Sequence, residues 1–200
     1  MDILEFLKRL HKECIRLSEK IRFHKKQPRQ LYLVALYGTL VEFTGCLIGL
    51  IGGNHGIGIP SIFRSILEAY VELMNLHGNA DYAYYMEASF NEQRIKLLEE
   101  AKKNPNPYLK RISQSQNLDE QIKTSKTELA NLKAKGFAPL SIFECFKRAG
   151  MVQEYRSLYN SLSNDAHSNI GALVNRHIEI QGGWGQVLQS HIVVMQNPTP

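Results

Sequence analysis

Apolar residues recur at spacings of three and four along most of the first 166 residues, which is the periodicity of amphipathic α-helices. The pattern predicts helices at about 2–25, 29–51, 60–77, 80–103, 137–150 and 151–166. Proline and glycine mark their ends, as at Pro28, Pro60 and Gly150. We therefore predict an all-α bundle of five to seven helices, in one domain over residues 1–200.

Two segments depart from this pattern. Residues 108–136 are polar and predict a solvated helix or helical hairpin that protrudes from the bundle, with Pro139 opening the next helix. Beyond residue 170 we predict a short irregular C-terminal segment, in which 177–180 alternates like a strand and 186–196 fits either strand or helix. Residues 197–200 are predicted to be a disordered tail.

The segment 31–53 is apolar and nearly long enough to cross a bilayer, and basic residues precede it. Glu42 lies in its middle, where a charge costs about 2.5–3.5 kcal/mol in lipid. Arg64 is a natural partner for Glu42. We therefore expect a buried core helix of a soluble protein and no membrane association.

Composition and charge limit the class of protein further. The net charge of +5 is compatible with an RNA partner or with a solvated lysine-rich face. Three widely spaced cysteines argue against a disulfide framework or a zinc finger, and reduced thiols favour a cytoplasmic protein. Cys46 and Cys145 lie among apolar residues and are interpreted as core residues. The charged N-terminus is not a signal peptide.

Two helices carry polar side chains where a core would need apolar ones. Arg64 and Glu68 are four residues apart and share one helix face. Tyr155, Tyr159, Ser163 and His167 follow one another at the same spacing on a later helix. Two interpretations stay open: these residues line a site, or they form a buried polar network that fixes helix register.

His167 is the strongest candidate for a general acid or base, because it joins this polar stripe and histidine titrates near neutral pH. Asn164 lies beside it. No H-x3-H or E-x2-H pair occurs within one helix, and no nucleotide-binding motif occurs. We expect no metal and no cofactor.

At these stretches the chain resembles an uncharacterised bacterial family of small α-helical proteins, a domain of unknown function. The family pattern is an apolar helix, a glycine-bearing turn, R-S-x-x-E and a later Y-x3-S-x3-H. Here these are residues 40–51, residues 52–58, Arg64-Ser65-x-x-Glu68 and Tyr159-x3-Ser163-x3-His167. The likeness covers roughly residues 30–100 and 150–172.

That family is distantly similar to HEPN proteins, helical bundles that include metal-independent ribonucleases of toxins and antiviral systems. Their motif is R-x4-6-H on one helix, whereas ten residues separate Arg156 from His167 here, so Arg64 would have to supply the charge. HEPN-like proteins commonly pair, which implies a homodimer by resemblance. The apolar circumference of helix 29–51 predicts a homodimer independently.

Two functions remain. The first is a metal-independent RNA endonuclease of a bacterial defence or toxin system. In it His167 is the acid or base, Arg64 stabilises the phosphorane, Glu68 and Tyr159 orient both, and Ser163 or Asn164 holds a phosphate. The second is a non-catalytic helical interaction module with a buried polar network, whose partner is encoded in the same operon. Both predict that Arg64, Glu68 and His167 converge in space.

Overall fold

The computed structural model describes residues 2–104 and 106–166, residues 170 and 174, and two strands at 178–181 and 189–192. The helices are α1 (Ile3–Ser18), α2 (Pro28–Gly52), α3 (Ile59–Gly78), α4 (Tyr82–Lys103), α5 (Lys110–Ser113), α6 (Leu118–Ala134), α7 (Ile142–Arg148), α8 (Val152–Glu154) and α9 (Asn160–Ala166). A 3-10 turn (Gly56–Gly58) precedes α3, and a π-helical turn (Tyr155–Tyr159) joins α8 to α9. The predicted all-α class is confirmed.

Helix α1 packs against the middle of α2 and is shorter than predicted. The Asp2 side chain caps its first turn by accepting a hydrogen bond from the backbone N–H of Leu4 at 3.1 Å. The helix ends at Ser18 instead of continuing to residue 25. The Ser18 hydroxyl bonds the carbonyl of Ile15, a local bond of the kind that competes with helix continuation. The hydroxyl of Tyr37 in α2 donates to the carbonyl of Cys14 at 2.7 Å and ties the two helices together.

Helix α2 is apolar around its circumference, yet Leu47 is its one buried residue. The prediction of a buried core helix is therefore wrong. Glu42 is exposed and forms no ion pair with Arg64, which pairs with Glu68 instead. Cys46, predicted to be a core residue, is exposed as well. By length and composition alone, α2 is the one helix among the described residues that could cross a membrane.

Helix α3 is the central helix, as its apolar flanks predict. Pro60 lies in its first turn, where the missing N–H costs no helical hydrogen bond. Its Leu67 and Val71 are buried in one core cluster with Cys145 and Phe146 of α7 and with Tyr159. Leu76, near its C-terminal end, is fully buried in a second cluster with residues of α4. The packing therefore places α3 between α2, α4, α7 and α9.

The polar segment 108–136 forms the short helix α5 and the long helix α6. Helix α6 lies along α4, where Leu118 and Ile122 pack on Leu98. Two ion pairs flank this contact, from Lys126 to Glu99 at 2.6 Å and from Lys102 to Asp119 at 2.5 Å. Helix α6 is thus solvated on one side and covered by α4 on the other, and the protrusion of the segment from the bundle stays a prediction.

The last elements described are the short helices after Ser141 and two strands. Helix α7 begins after Ser141, whose hydroxyl accepts the N–H of Glu144, and not at Pro139 as predicted. Gly150 lies two residues after the end of α7 and has a φ of 73°, a conformation that favours glycine. Strands β1 (Ile178–Gln181) and β2 (Gln189–Ile192) pair antiparallel, so the predicted strand is confirmed, and the segment expected to be irregular contains a two-stranded ladder.

Candidate functional site: a polar network between two core helices

Arg64, Glu68 and Tyr159 meet where α3 packs on the π-helical turn and α9. The Arg64 guanidinium donates from Nε and Nη2 to the Tyr159 hydroxyl, at 3.2 and 3.0 Å. That hydroxyl donates in turn to Glu68 Oε1 at 2.7 Å, and Arg64 Nη2 lies 2.9 Å from the same oxygen. The three side chains form one closed network, with the guanidinium carbon 5.3 Å from the centre of the Tyr159 ring.

The network is neutral overall and only partly shielded from water. Tyr159 is buried, whereas the Arg64 and Glu68 side chains keep 29% and 36% of their surface exposed. Burial, together with the hydrogen bond to Glu68, raises the pKa of the Tyr159 phenol. The hydrogen bond to Tyr159 and the nearby Glu68 charge raise the pKa of Arg64. Both groups therefore stay protonated at neutral pH, and neither can act as a general base.

An aromatic stack holds Tyr159 in position. Its ring lies 5.0 Å from that of Phe146 and stacks on Tyr155 at 5.3 Å with an interplanar angle of 16°. Both tyrosines belong to the π-helical turn, a geometry that often occurs at functional positions in helices. Packing fixes the phenol on one side while hydrogen bonds fix it on the other.

A second polar group continues along the same face of α3. Glu72 follows Glu68 by four residues and lies within hydrogen-bonding reach of the Tyr82 hydroxyl and the Cys145 thiol. Asn75 is buried, and its Nδ2 donates to the carbonyl of Cys145 at 2.9 Å. Burial raises the pKa of the Glu72 carboxyl, and it raises the pKa of Cys145 to about 11.

Sequence reasoning missed this second group although a signal was present. The spacing of Arg64, Glu68 and Glu72 is a continuous i,i+4 series, so a polar stripe of about two turns could have been predicted. The next position of this series is 76, and Asn75, one residue before it, still lies on the same side of the helix. Tyr82 and Cys145 gave no comparable signal, because each lies in an ordinary apolar pattern.

The remaining candidates do not join the network. Ser163 is half-buried and Asn164 is exposed. Neither makes a hydrogen bond with Arg64, Glu68 or Tyr159 in the described part of the chain. His167 lies outside the described residues, so its convergence with Arg64 stays a prediction. Three of the six candidate residues are thus brought together, namely Arg64, Glu68 and Tyr159.

The hydrogen-bonding groups that face the network are already paired with one another, which limits the chemistry that it can perform. The two Arg64 nitrogens that face the network already donate to Tyr159 and Glu68. An anion would have to compete with the Glu68 carboxylate for the guanidinium. Within residues 2–104 and 106–166, no group of three or more histidine, cysteine or acidic side chains is placed to hold a metal ion.

These features define a mainly helical protein in which a polar network ties the central helix to the helix that carries the tyrosine stripe. Its family is also established. The chain belongs to DUF5677, a family of unknown function whose model matches residues 30–183. That range includes Arg64, Glu68 and Tyr159 and excludes the whole of α1. No curated protein and no solved structure matches the chain significantly.

Proposed function

We propose that this protein is a non-catalytic helical interaction module that pairs with a second copy of itself through α1 and α2. Arg64, Glu68 and Tyr159 act in it as a structural network that fixes how α3 meets α9. The observation that carries the proposal is helix α2, which is 25 residues long, apolar on all sides and buried only at Leu47. An apolar surface of this extent on a soluble domain marks an interaction site.

Two uncovered strips define this surface. The α1 strip consists of the exposed apolar residues on one face of the first helix: Ile3, Phe6, Leu10 and Leu17. The α2 strip consists of exposed positions at helical spacing: Leu31, Ala35, Glu42, Cys46 and Gly49. Helix α1 packs on α2 on a different side, where His11 lies against Gly45 and the Cys14 carbonyl accepts from the Tyr37 hydroxyl. Both helices therefore keep an apolar face that nothing in the described chain covers.

The packing around α2 favours a protein partner over lipid. Helix α2 lies against α1 and α3, so inserting it into a bilayer in this arrangement would bring both neighbours with it. Helix α1 carries charges such as Lys8 and Arg16, and α3 carries Arg64. Each charge in the centre of a bilayer costs about 2.5–3.5 kcal/mol. A second copy of the same surface covers the apolar strips without that cost.

The size of the surface is adequate for a dimer. At 1.5 Å per residue, the α2 strip from Leu31 to Gly49 is about 27 Å long and the α1 strip from Ile3 to Leu17 is about 21 Å long. A width of about 10 Å on each gives roughly 500 Å² per copy, or roughly 1,000 Å² in total, which reaches the lower limit for a specific interface. Glu42 is the charged residue on the α2 strip, and it selects pairings that keep the two carboxylates apart.

Sedimentation velocity at tens of micromolar protein tests the pairing. The wild type should sediment as a dimer, and Leu31→Glu should sediment as a monomer, because Leu31 is 40% exposed on the α2 strip. Leu97→Glu is the matched control, since Leu97 is 46% exposed on α4, outside both strips. A bismaleimide should cross-link two copies through Cys46. A monomeric wild type, or recovery only in a detergent-soluble membrane fraction, would contradict the proposal.

A second candidate function is a HEPN-like, metal-independent RNA endonuclease in a cytoplasmic defence or toxin role. The observation that favours it is the meeting of Arg64 and Tyr159 across two helices, with Ser163 and Asn164 on the next turn of α9. In this function Arg64 stabilises the phosphorane and His167 transfers the proton. Glu68 and Tyr159 position the guanidinium.

Incubation of the protein with labelled total RNA in EDTA tests this candidate. His167→Ala should lower cleavage by about 10²–10⁴-fold with little change in the melting temperature. His24→Ala, a change of the same kind at an exposed position, should leave cleavage unaltered. A wild type that never cleaves RNA, beside a His167→Ala protein that melts much lower, would rule out the ribonuclease and leave the structural network.

A further inference from the structure

A run of positive charge lies where α4 ends and α5 begins. Residues 102–111, called the basic segment below, contain four basic residues and no acidic one: Lys102, Lys103, Lys110 and Arg111. All four are exposed. Lys102 pairs with Asp119, whereas the other three form no ion pair with any described residue. Three cations of this segment are therefore free to contact an anionic partner.

Tyr108 lies among these cations, and 96% of its surface is exposed, more than for any other large apolar side chain in the described part of the chain. The Asn106 side chain accepts the backbone N–H groups of Tyr108 and Leu109, at 3.0 and 3.1 Å, and so fixes the backbone beside the ring. Ile112 anchors the following turn by packing on the apolar cluster between α4 and α6. The ring is thus presented to solvent by a fixed backbone, as a face on which a planar group can stack.

The acidic side chains in the last turns of α4 and the first turn of α6 do little to neutralise these cations. Glu99 and Asp119 already form ion pairs with lysines. Glu100 accepts a hydrogen bond from Asn104 at 3.1 Å. Glu120 remains, a single unpaired carboxylate against three unpaired cations. The balance of charge at this end of the two helices is therefore positive.

The cations select an anionic partner, and the exposed ring selects one that also carries planar groups. A lipid surface would call for several apolar side chains to insert, and Tyr108 is the exposed large apolar residue of the segment. The connection between α1 and α2 is also basic, but its aromatic residue, Phe23, is half-buried. We propose that the basic segment binds single-stranded nucleic acid, with Lys103, Lys110 and Arg111 on phosphates and a base stacked on Tyr108.

Fluorescence anisotropy with labelled oligouridylate and oligothymidylate of about 12 nucleotides tests the proposal. We expect both strands to bind at about 50 mM salt. Three phosphate contacts on a single strand give a slope of about −2 in a plot of log affinity against log salt, so binding should weaken by about 20-fold between about 50 and 200 mM. An absence of binding at low salt would overturn the proposal.

Two variants at exposed tyrosines test the stacked base. Tyr108→Ala should weaken the binding of either strand by at least about fivefold. The same variant should leave the binding of a duplex unaltered, because duplex bases are stacked on one another. Tyr70→Ala is the matched control, since Tyr70 is 41% exposed on α3. Wild-type binding of single strands by Tyr108→Ala, or an equal loss in Tyr70→Ala, would contradict the stacking.

Two triple variants that remove the same charge test the phosphate contacts. Replacing Lys103, Lys110 and Arg111 with glutamine should weaken binding and flatten the salt dependence, because those contacts are lost. Replacing Lys20, Lys25 and Lys26, which are exposed in the connection between α1 and α2, should change both much less. Equal losses in the two triple variants would reduce the effect to net charge and overturn the proposal. So would competition by oligoglutamate as strong as that by unlabelled strand, or Tyr108-dependent binding to phosphatidylserine vesicles.

Discussion

Replacing Tyr159 with phenylalanine removes one oxygen atom from the centre of the polar network and keeps the ring that packs on Phe146. That oxygen accepts hydrogen bonds from two Arg64 nitrogens and donates to Glu68 Oε1 at 2.7 Å. Arg64 and Glu68 retain their own contact at 2.9 Å. The substitution therefore isolates the contribution of the hydroxyl to the free energy of unfolding.

The magnitude follows from the exposure of the partners. A hydrogen bond to a charged group contributes about 1.5–3 kcal/mol when it is well shielded, and the hydroxyl has two charged partners. Arg64 and Glu68 are each about one third exposed, so water replaces part of what is lost. We expect Tyr159→Phe to lower the free energy of unfolding by about 2 kcal/mol. For a chain of this size the melting temperature should then fall by about 4–8 °C.

Urea titration and thermal melts measure this loss, and Tyr155→Phe provides the control. Tyr155 stacks on Tyr159, but its hydroxyl makes no hydrogen bond in the described chain, so its removal should change stability by less than about 0.5 kcal/mol. A double-mutant cycle with Glu68→Gln should give a coupling of about 0.5–3 kcal/mol. The reasoning is refuted if Tyr159→Phe melts like the wild type, or if Tyr155→Phe loses as much stability.

Three further outcomes are expected. Burial raises the pKa of Glu72, so its contribution to stability is fully present below the ordinary carboxyl pKa and is lost as pH rises through the raised value. Urea titrations from about pH 4 upward should show this loss for the wild type but not for Glu72→Gln. Asn75→Ala should cost about 0.5–1.5 kcal/mol in urea unfolding, since it removes one of the two hydrogen bonds to the Cys145 carbonyl, which keeps the Ala149 N–H as a donor; an unchanged midpoint would contradict this. Cys46 is exposed and should react with a disulfide reagent in the folded protein, whereas the buried Cys145, with its pKa raised to about 11, should react only on unfolding; equal rates would contradict the packing.

The part of the site that sequence predicts is the part with a local signal. Arg64 and Glu68 interrupt an apolar helix at i,i+4, and Tyr159 belongs to a polar stripe, so a contact between them could be expected. The structure places the hydroxyl of Tyr159 between the other two. Local periodicity was sufficient here because each helix has one face that must be covered.

The prediction of burial was wrong for α2, where the hydrophobic pattern does not distinguish one face of the helix from another. Helix α2 is apolar on all sides, so the pattern could not say which face turns towards α3. Glu42 was therefore assigned to Arg64 although it lies on the exposed face. Glu72 interacts with Tyr82 and Cys145, which come from helices far apart in the chain. Contacts of this kind are set by tertiary packing, and neither composition nor residue spacing predicts them.

The π-helical turn at Tyr155–Tyr159 makes the network sensitive to chain length as well as to side-chain identity. A π turn accommodates one residue more than an α turn, so everything after it is rotated by about 100° relative to a regular helix. Deleting one residue, such as Ser157, would let the turn relax to α geometry and carry Tyr159 away from Arg64, with no change in any side chain of the network. The number of residues in this turn is therefore a constraint on this chain in its own right, beside the identity of the side chains that the turn presents.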